Sequence, residues 1–234
     1  MLLPACSIVR PEPSDLPGVR VALLTPNVHG RLVGRTMQPR YITIHSTANV
    51  NVTAAGHADY LLVKGQRSQK NARLGRSGWV TWHFTVDDRE VIQHLLPTEQ
   101  GDHADYGGPG DRQSIGIEIC EFRNHARQSA AIDRAAHLTA ALANRYDIPT
   151  ARIVPHKHWR RVDFKYGKPC PRILLEHDRR APGGWRLGSR WERFVARVEQ
   201  HRRRSEEPFY VSAYRPPICS VFCYRHVRFS LKPS

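Results

Sequence analysis

The chain has 234 residues, of which 40% are hydrophobic and 9% aromatic, so it can bury the core of one ordinary domain. No run approaches the roughly 20 apolar residues of a membrane-spanning helix, and five irregularly spaced cysteines exclude a disulfide scaffold. The formal net charge is +15, and residues 151–234 carry 20 Lys and Arg against 7 Asp and Glu, which is +13 of that total.

Hydrophobic patterning predicts an alternation of strands and helices. Residues 1–37 are rich in proline and lack a sustained period, which indicates an irregular arm with one short strand near residues 19–24. The patterning then predicts, in chain order, a strand at 41–45, a helix from a Thr53 cap to Leu62, a loop at 64–78, strands at 80–86 and 91–96, a long loop at 97–113, a strand at 114–121, a helix at 127–146, a short strand at 153–154 and a helix at 187–204. This order predicts an α/β (α+β) fold in which one domain, residues 38–204, has a central mixed β-sheet flanked by helices. Residues 205–234 are interpreted as a basic C-terminal tail.

Candidate metal ligands lie at the end of the first long strand and in a late loop. His45 ends the strand, and either His156 or His158 precedes Cys170 in the loop. Two imidazoles and one thiolate are a ligand set that leaves the fourth position of zinc open for water. An open position distinguishes a catalytic zinc site from a structural one.

Two further residues could take part in hydrolysis, one by activating a water molecule and the other by stabilising the negative charge that forms when water attacks. Glu118 lies among isoleucines, and Gly116 on the same face leaves room for another group to approach. It is either a carboxylate on the solvated face of an edge strand or a semi-buried general base. Lys168 is two residues before Cys170, so on an extended segment both project to the same side, where a cation could stabilise an oxyanion.

Five blocks in register and in order resemble the zinc-dependent N-acetylmuramoyl-L-alanine amidases of the type-2 amidase family. They are Tyr-Ile-Thr-Ile-His-Ser-Thr-Ala (41–48), Thr-Trp-His-Phe-Thr-Val-Asp-Asp (81–88), Ile-Gln-His-Leu-Leu-Pro (92–97), Ser-Ile-Gly-Ile-Glu-Ile-Cys-Glu (114–121) and Lys-Pro-Cys-Pro-Arg-Ile-Leu (168–174). The resemblance covers residues 38–176. It implies a peptidoglycan hydrolase, of the endolysin or autolysin kind, that cleaves the amide between N-acetylmuramic acid and L-alanine of the stem peptide.

The resemblance also implies roles for individual residues. It implies Zn²⁺ as cofactor, with three ligands: His45, His156 and Cys170. It makes Glu118 the residue that helps to activate water and Lys168 the residue that stabilises the tetrahedral intermediate. Three residues match positions near the substrate cleft: Trp82, His83 and His103. The segment 160–167 is longer than in compact relatives, which leaves His158 as an alternative to His156 for the second metal ligand. The cations of this segment are expected near the cleft rim: Arg160, Arg161 and Lys165.

Two other function classes remain open from the sequence. The first is a module that binds peptidoglycan without cutting it, as relatives without the thiolate do. The second is a cytosolic amidase that recycles soluble anhydro-muropeptides. The start of the chain lacks a basic segment and is interrupted by Pro4, so we predict no signal peptide, and an enzyme that acts at the bacterial cell wall after release from the cytoplasm.

The partners that we predict are peptidoglycan and, for the basic C-terminal third, an anionic wall polymer or lipid. We predict no specific nucleic-acid partner. In the tail, Cys219 and Cys223 are four residues apart, and whether they pair is left open.

Overall fold

A computed structural model describes residues 18–206 of the chain. Its β-strands are β1 (Val19–Val21), β2 (Tyr41–Val50), β3 (Gln66–Arg67), β4 (Trp79–Val80), β5 (Phe84–Val86), β6 (Val91–Gln93), β7 (Ser114–Glu121), β8 (Ile153–Pro155), β9 (Glu176–His177) and β10 (Trp185–Arg186). Its α-helices are α1 (Ala54–Val63), α2 (Gln69–Arg73), α3 (Pro109–Arg112), α4 (His125–Arg145) and α5 (Ser189–Glu206). None of the described helices is long and apolar enough to cross a membrane.

Six strands form one mixed sheet in the order β1-β6-β5-β7-β2-β8, which confirms the predicted architecture. Strands β5, β7, β2 and β8 run parallel to one another, whereas β5 and β6 form an antiparallel hairpin across residues 87–89. Strand β7 lies between β5 and β2, so it is an inner strand. The interpretation of Glu118 as a residue of a solvated edge strand is therefore wrong.

The sequence explains why β7 occupies the centre. Ile115, Ile117 and Ile119 are fully buried on one face, and Cys120 on the other face is buried as well. A strand that is buried on both faces reads as a nearly continuous apolar run, as this one does. Burial of each such side chain stabilises the fold by about 1.5–3 kcal/mol.

Three predicted helices are present close to their expected limits. Thr53 caps α1, where its side chain accepts a hydrogen bond from the backbone N–H of Gly56. Helix α4 packs against β7 and against α5. Helix α5 buries Trp191, Phe194 and Val198, the apolar stripe that its sequence predicts.

Several regions differ from the sequence prediction: the strand predicted at 91–96 ends at Gln93, β9 and β10 were not predicted, and two further differences are larger. The predicted loop at 64–78 contains β3 and α2, and the Ser68 side chain caps α2 by accepting from the backbone N–H of Asn71. The predicted strand at 80–86 is interrupted at residues 81–83, because Thr81 bridges to Asp102 in the 97–113 loop. Residues 1–17 of the arm and residues 207–234 of the tail, with Cys219 and Cys223, lie outside the described residues.

Candidate active site

The parallel pairing of β7, β2 and β8 brings the candidate residues to one edge of the sheet. His45 on β2 and Glu118 on β7 are direct partners in the strand register. His156 follows the end of β8, which pairs with β2 on its other side. Because the carboxyl ends of parallel strands meet at the same edge, residues that are far apart in sequence converge there.

Three side chains at this edge form a cluster that could hold a metal ion. The ligand atoms of His45, His156 and Cys170 all lie within 4.8 Å of one another, and all three residues are buried. His158, the alternative ligand, is exposed and packs its ring against Trp159 and Tyr41. The structure therefore decides between the two histidines in favour of His156.

Hydrogen bonds define which nitrogen of His45 is available. The ring nitrogens of His45 (Nε2) and His103 (Nδ1) are 3.1 Å apart, and His103 Nε2 lies 3.2 Å from the carbonyl oxygen of Ser114. Since the carbonyl can only accept, His103 Nε2–H donates to it, and His103 Nδ1 then accepts from His45 Nε2–H. The lone pair of His45 Nδ1 is left free for a metal.

The same logic applies to His156. Its Nε2–H donates to the carbonyl oxygen of Ala104 at 2.9 Å, while its buried Nδ1 has no hydrogen-bond partner within residues 18–206. A buried nitrogen without a partner is costly unless something else binds it. Ligating histidines usually donate their other N–H to an outer partner in this way, so Nδ1 is the nitrogen that remains for a metal in both imidazoles.

Burial sets the protonation states of the two histidines of the cluster, whereas that of Cys170 depends on a bound cation. Burial lowers the pKa of His45 well below its usual value and that of His156 to about 3, so both rings are neutral, as ligands must be. Burial raises the pKa of Cys170 to about 12, so its thiol stays protonated until a cation holds the thiolate. The residues therefore fit a metal ion with two nitrogen ligands and one sulfur ligand.

Glu118 lies beside this cluster. Its Oε1 atom is 3.8 Å from His45 Nδ1, and its buried Oε2 atom has no hydrogen-bond partner in the described part of the chain. Desolvation raises the pKa of Glu118 to about 7, although the nearby Lys168 cation acts in the opposite direction. A carboxylate of this kind can take up and release a proton near neutral pH.

A cleft of about 610 Å³ opens over the cluster. Lys168 is exposed in its wall, and the largely buried Trp82 and His103 also line the cleft. Arg161 also lines the cleft, whereas Arg160 and Lys165 of the same segment do not. The cleft thus combines a three-ligand cluster, a carboxylate of raised pKa and two cations.

Comparison with known proteins agrees with this geometry. The family model described as N-acetylmuramoyl-L-alanine amidase matches residues 35–173, which is more than half of the chain. The chain belongs to this amidase family. The match includes both histidines, the cysteine, Glu118 and Lys168.

Two curated amidases of Bacillus subtilis (strain 168) are similar in sequence. The chain is 44% identical to the N-acetylmuramoyl-L-alanine amidase XlyA, over 61% of its own length and 43% of that protein. It is 42% identical to the N-acetylmuramoyl-L-alanine amidase CwlH, over 62% of its own length and 52% of that protein. It therefore spans about half the length of these relatives. The solved catalytic domain of XlyA superposes with a TM-score of 0.58 at 36% identity, and the match covers 77% of this chain and 98% of that domain.

Two of the three residues predicted near the substrate line the amidase cleft, and the third lies behind it. Trp82 and His103 line the cleft, and the Trp82 indole N–H donates to Thr85, so the exposed part of this ring is apolar. His83 does not line the cleft: its Nε2–H donates to the carbonyl of Glu99, and its Nδ1 accepts from the backbone N–H of Gly116. The predicted substrate contact of His83 is therefore corrected to support of the strand behind the site.

One residue that organises this amidase site was not predicted from the sequence. Asp111 is fully buried, and its carboxylate accepts from the backbone N–H groups of His103, Ala104 and Gly107 at 2.6–2.9 Å. It thereby fixes both groups that orient the ligands, since His103 pairs with His45 and the carbonyl of Ala104 pairs with His156. The only signal in the sequence was an acidic residue in a long glycine-rich loop.

Proposed function

We propose that this chain is a zinc-dependent amidase that cleaves peptidoglycan between N-acetylmuramic acid and the L-alanine of the stem peptide. The observation that carries the proposal is the convergence of three ligands and Glu118 on one cleft. Membership of the amidase family and similarity to curated amidases support the bond that is cleaved.

Zinc is the cofactor that we propose because of the donor set. Two neutral imidazoles and one thiolate are typical zinc ligands, and three protein ligands leave a position for water or substrate. When bound, zinc supplies a Lewis acid that lowers the pKa of water towards about 7 and polarises a carbonyl group.

Glu118 is proposed as the general base. Its unpaired Oε2 atom accepts a proton from the attacking water, and the raised pKa allows the carboxyl group to deliver that proton to the departing nitrogen of L-alanine. General acid–base catalysis of this type contributes about 10²–10⁴-fold to the rate.

Lys168 and Cys170 have different tasks in this proposal. The Lys168 ammonium group lies in the cleft wall and stabilises the negative oxygen that forms when water adds to the amide carbonyl. Cys170 serves as a ligand, because a buried thiol whose pKa is raised to about 12 is a poor nucleophile. The reaction needs no covalent intermediate.

The substrate also suggests where the protein works. We propose that it acts on the bacterial cell wall after release from the cytoplasm, as an endolysin or autolysin. Peptidoglycan is a polymer outside the membrane, so an enzyme made in the cytoplasm meets this substrate only after lysis or export.

Mass spectrometry of digested sacculi tests the proposal directly. The expected products are stem peptides that begin with a free L-alanine, together with glycan that retains its lactyl group, and a chelator should abolish both. Cleavage at a glycosidic bond or at another peptide bond, or binding without cleavage, would contradict the proposal.

Matched variants test the residue roles in the same assay. Lys168→Ala should lower turnover strongly, whereas Lys165→Ala, an exposed neighbour outside the cleft, should leave it unchanged. Glu118→Ala should retain zinc and lose at least about 100-fold in turnover. Full turnover in zinc-loaded Glu118→Ala protein would refute its role as the base.

A further inference from the structure

A second concave surface lies between the start of α4, the turn Arg172–Leu174 and α5. Its volume is about 240 Å³, and it shares no lining residue with the cleft. Three arginines of α5 line it together with an apolar floor: Arg190, Arg193, Arg197, Ile132, Ile173 and Phe194. No acidic side chain is among its lining residues. We call this surface the arginine groove.

The three arginines of the groove share one face of α5. At about 100° per residue, Arg190, Arg193 and Arg197 fall within an arc of about 60°. The acidic residues Glu192 and Glu199 lie on another side of the helix, about 130–150° from the centre of that arc. The positive charge of this face is therefore concentrated on the groove.

These arginines differ from others nearby in having no side-chain partner among the described residues. Arg186 pairs with Glu176 at 2.6 Å, and Arg202 donates to Asn144 at 2.9 Å, so both hold parts of the fold together. Within residues 18–206 no ion pair or hydrogen bond involves the side chains of Arg190, Arg193 or Arg197. Arginine side chains that neither pair nor donate within this part of the chain are available to an external anion.

The shape and chemistry of the groove indicate what kind of anion it takes. One guanidinium group can donate two parallel hydrogen bonds to the oxygens of a phosphate. Arg190 and Arg197 are two turns apart, about 10 Å along the helix. Ile132, Ile173 and Phe194 supply an apolar floor between these charges. A chain that alternates phosphates with short carbon linkers matches this pattern better than a single small ion.

We propose that the arginine groove binds a linear phosphodiester polymer of the bacterial cell wall. The inference rests on the proposed function, because only an enzyme that works at the wall meets this polymer. It gives the predicted anionic partner of the basic C-terminal third a defined site. Binding there holds the enzyme on its insoluble substrate without occupying the cleft.

Titration of a fluorescently labelled poly(glycerol phosphate) chain into the full-length protein between 50 and 200 mM NaCl tests this inference. The groove variant combines Arg190→Gln, Arg193→Gln and Arg197→Gln. The control variant removes the same charge at exposed arginines outside the groove: Arg40→Gln, Arg179→Gln and Arg180→Gln. Thermal unfolding of both variants verifies that they are folded.

Wild-type protein and the control variant should bind the polymer with similar affinity. The groove variant should bind more weakly, and the slope of log affinity against log salt should fall by about 2, since each phosphate contact contributes about 0.7. Equal losses in both variants would mean that only net charge matters and would overturn the inference. Groove-dependent binding that is tighter for duplex DNA or for phosphatidylglycerol vesicles would also overturn it.

Amidase assays separate this inference from the proposed function. With soluble muropeptide as substrate, the groove variant should retain wild-type turnover, whereas on intact walls it should be slower. If amidase activity is present and the groove variant binds polymer as the wild type does, the inference fails alone. If the polymer binds at the groove and no amide is cleaved, the proposed function fails alone.

Discussion

Replacement of Glu118 by glutamine in the metal-free protein is expected to stabilise the fold at neutral and alkaline pH. Desolvation raises the pKa of this carboxyl group from its ordinary 4.5 to about 7. Each pKa unit corresponds to 1.36 kcal/mol, so ionised Glu118 lowers the free energy of unfolding by about 3 kcal/mol. The side chain is only 16% exposed, so solvent screens little of this effect.

The pH dependence has a defined direction. Below about pH 4.5 the carboxyl group is protonated in both the folded and the unfolded chain, so the charge costs nothing. Between about pH 4.5 and 7 the unfolded chain releases its proton first, and the stability of the wild type falls. Above pH 7 the loss is complete. Glu118→Gln removes this titration, so its advantage should appear over that interval.

Urea unfolding of chelator-treated protein at pH 4, 6 and 8 measures the effect. The difference between Glu118→Gln and wild type should rise from near zero to about 3 kcal/mol. Glu192→Gln removes a charge from the exposed side of α5 and should change the free energy of unfolding by less than about 0.5 kcal/mol at each pH. A constant difference across pH for Glu118→Gln would refute the argument.

Three further predictions concern the metal cluster and its support. Cys170→Ser should weaken zinc binding and turnover together, as measured by competition with a chromogenic chelator, and unchanged zinc affinity would exclude Cys170 as a ligand. Gly116→Ala places a methyl group 3.0 Å from the His103 ring, so zinc affinity should fall about 10–100-fold, and the same substitution in a His103→Ala background should have little further effect. Asp111→Asn places an amide N–H₂ group against the backbone N–H of His103 or Gly107, where two donors face each other. The free energy of unfolding, measured by urea titration, should fall by about 1–3 kcal/mol. No change would mean that the loop does not depend on this carboxylate.

Local sequence patterns were sufficient for much of the fold. Strand β7 has the limits that its alternation predicts, and Thr53 caps α1 as expected. Helix α5 buries the predicted Trp191 and Phe194. A helix cap depends on residues that are close in sequence, and an apolar face depends only on the spacing of its residues. The local pattern is therefore enough to predict these elements.

Other elements depended on distant contacts. The interruption of the predicted strand at 80–86 comes from the bridge between Thr81 and Asp102, which are 21 residues apart. Asp111 acts on three backbone N–H groups that its loop brings together. No periodicity in the sequence encodes the contacts that an irregular loop makes with a distant strand segment or within itself, so neither feature was predictable.

The sequence by itself determined the chemical inventory of the site: two imidazoles, a thiol, a carboxyl group among isoleucines and a lysine, in the order that resembles the amidase family. Only the tertiary structure decided that His156 rather than His158 faces the cluster, and that its Nδ1 is the free nitrogen. It also decided the raised pKa of Glu118. The physical reason is that burial and hydrogen-bond partners come from segments separated by tens of residues, and these segments become neighbours only when the sheet is assembled.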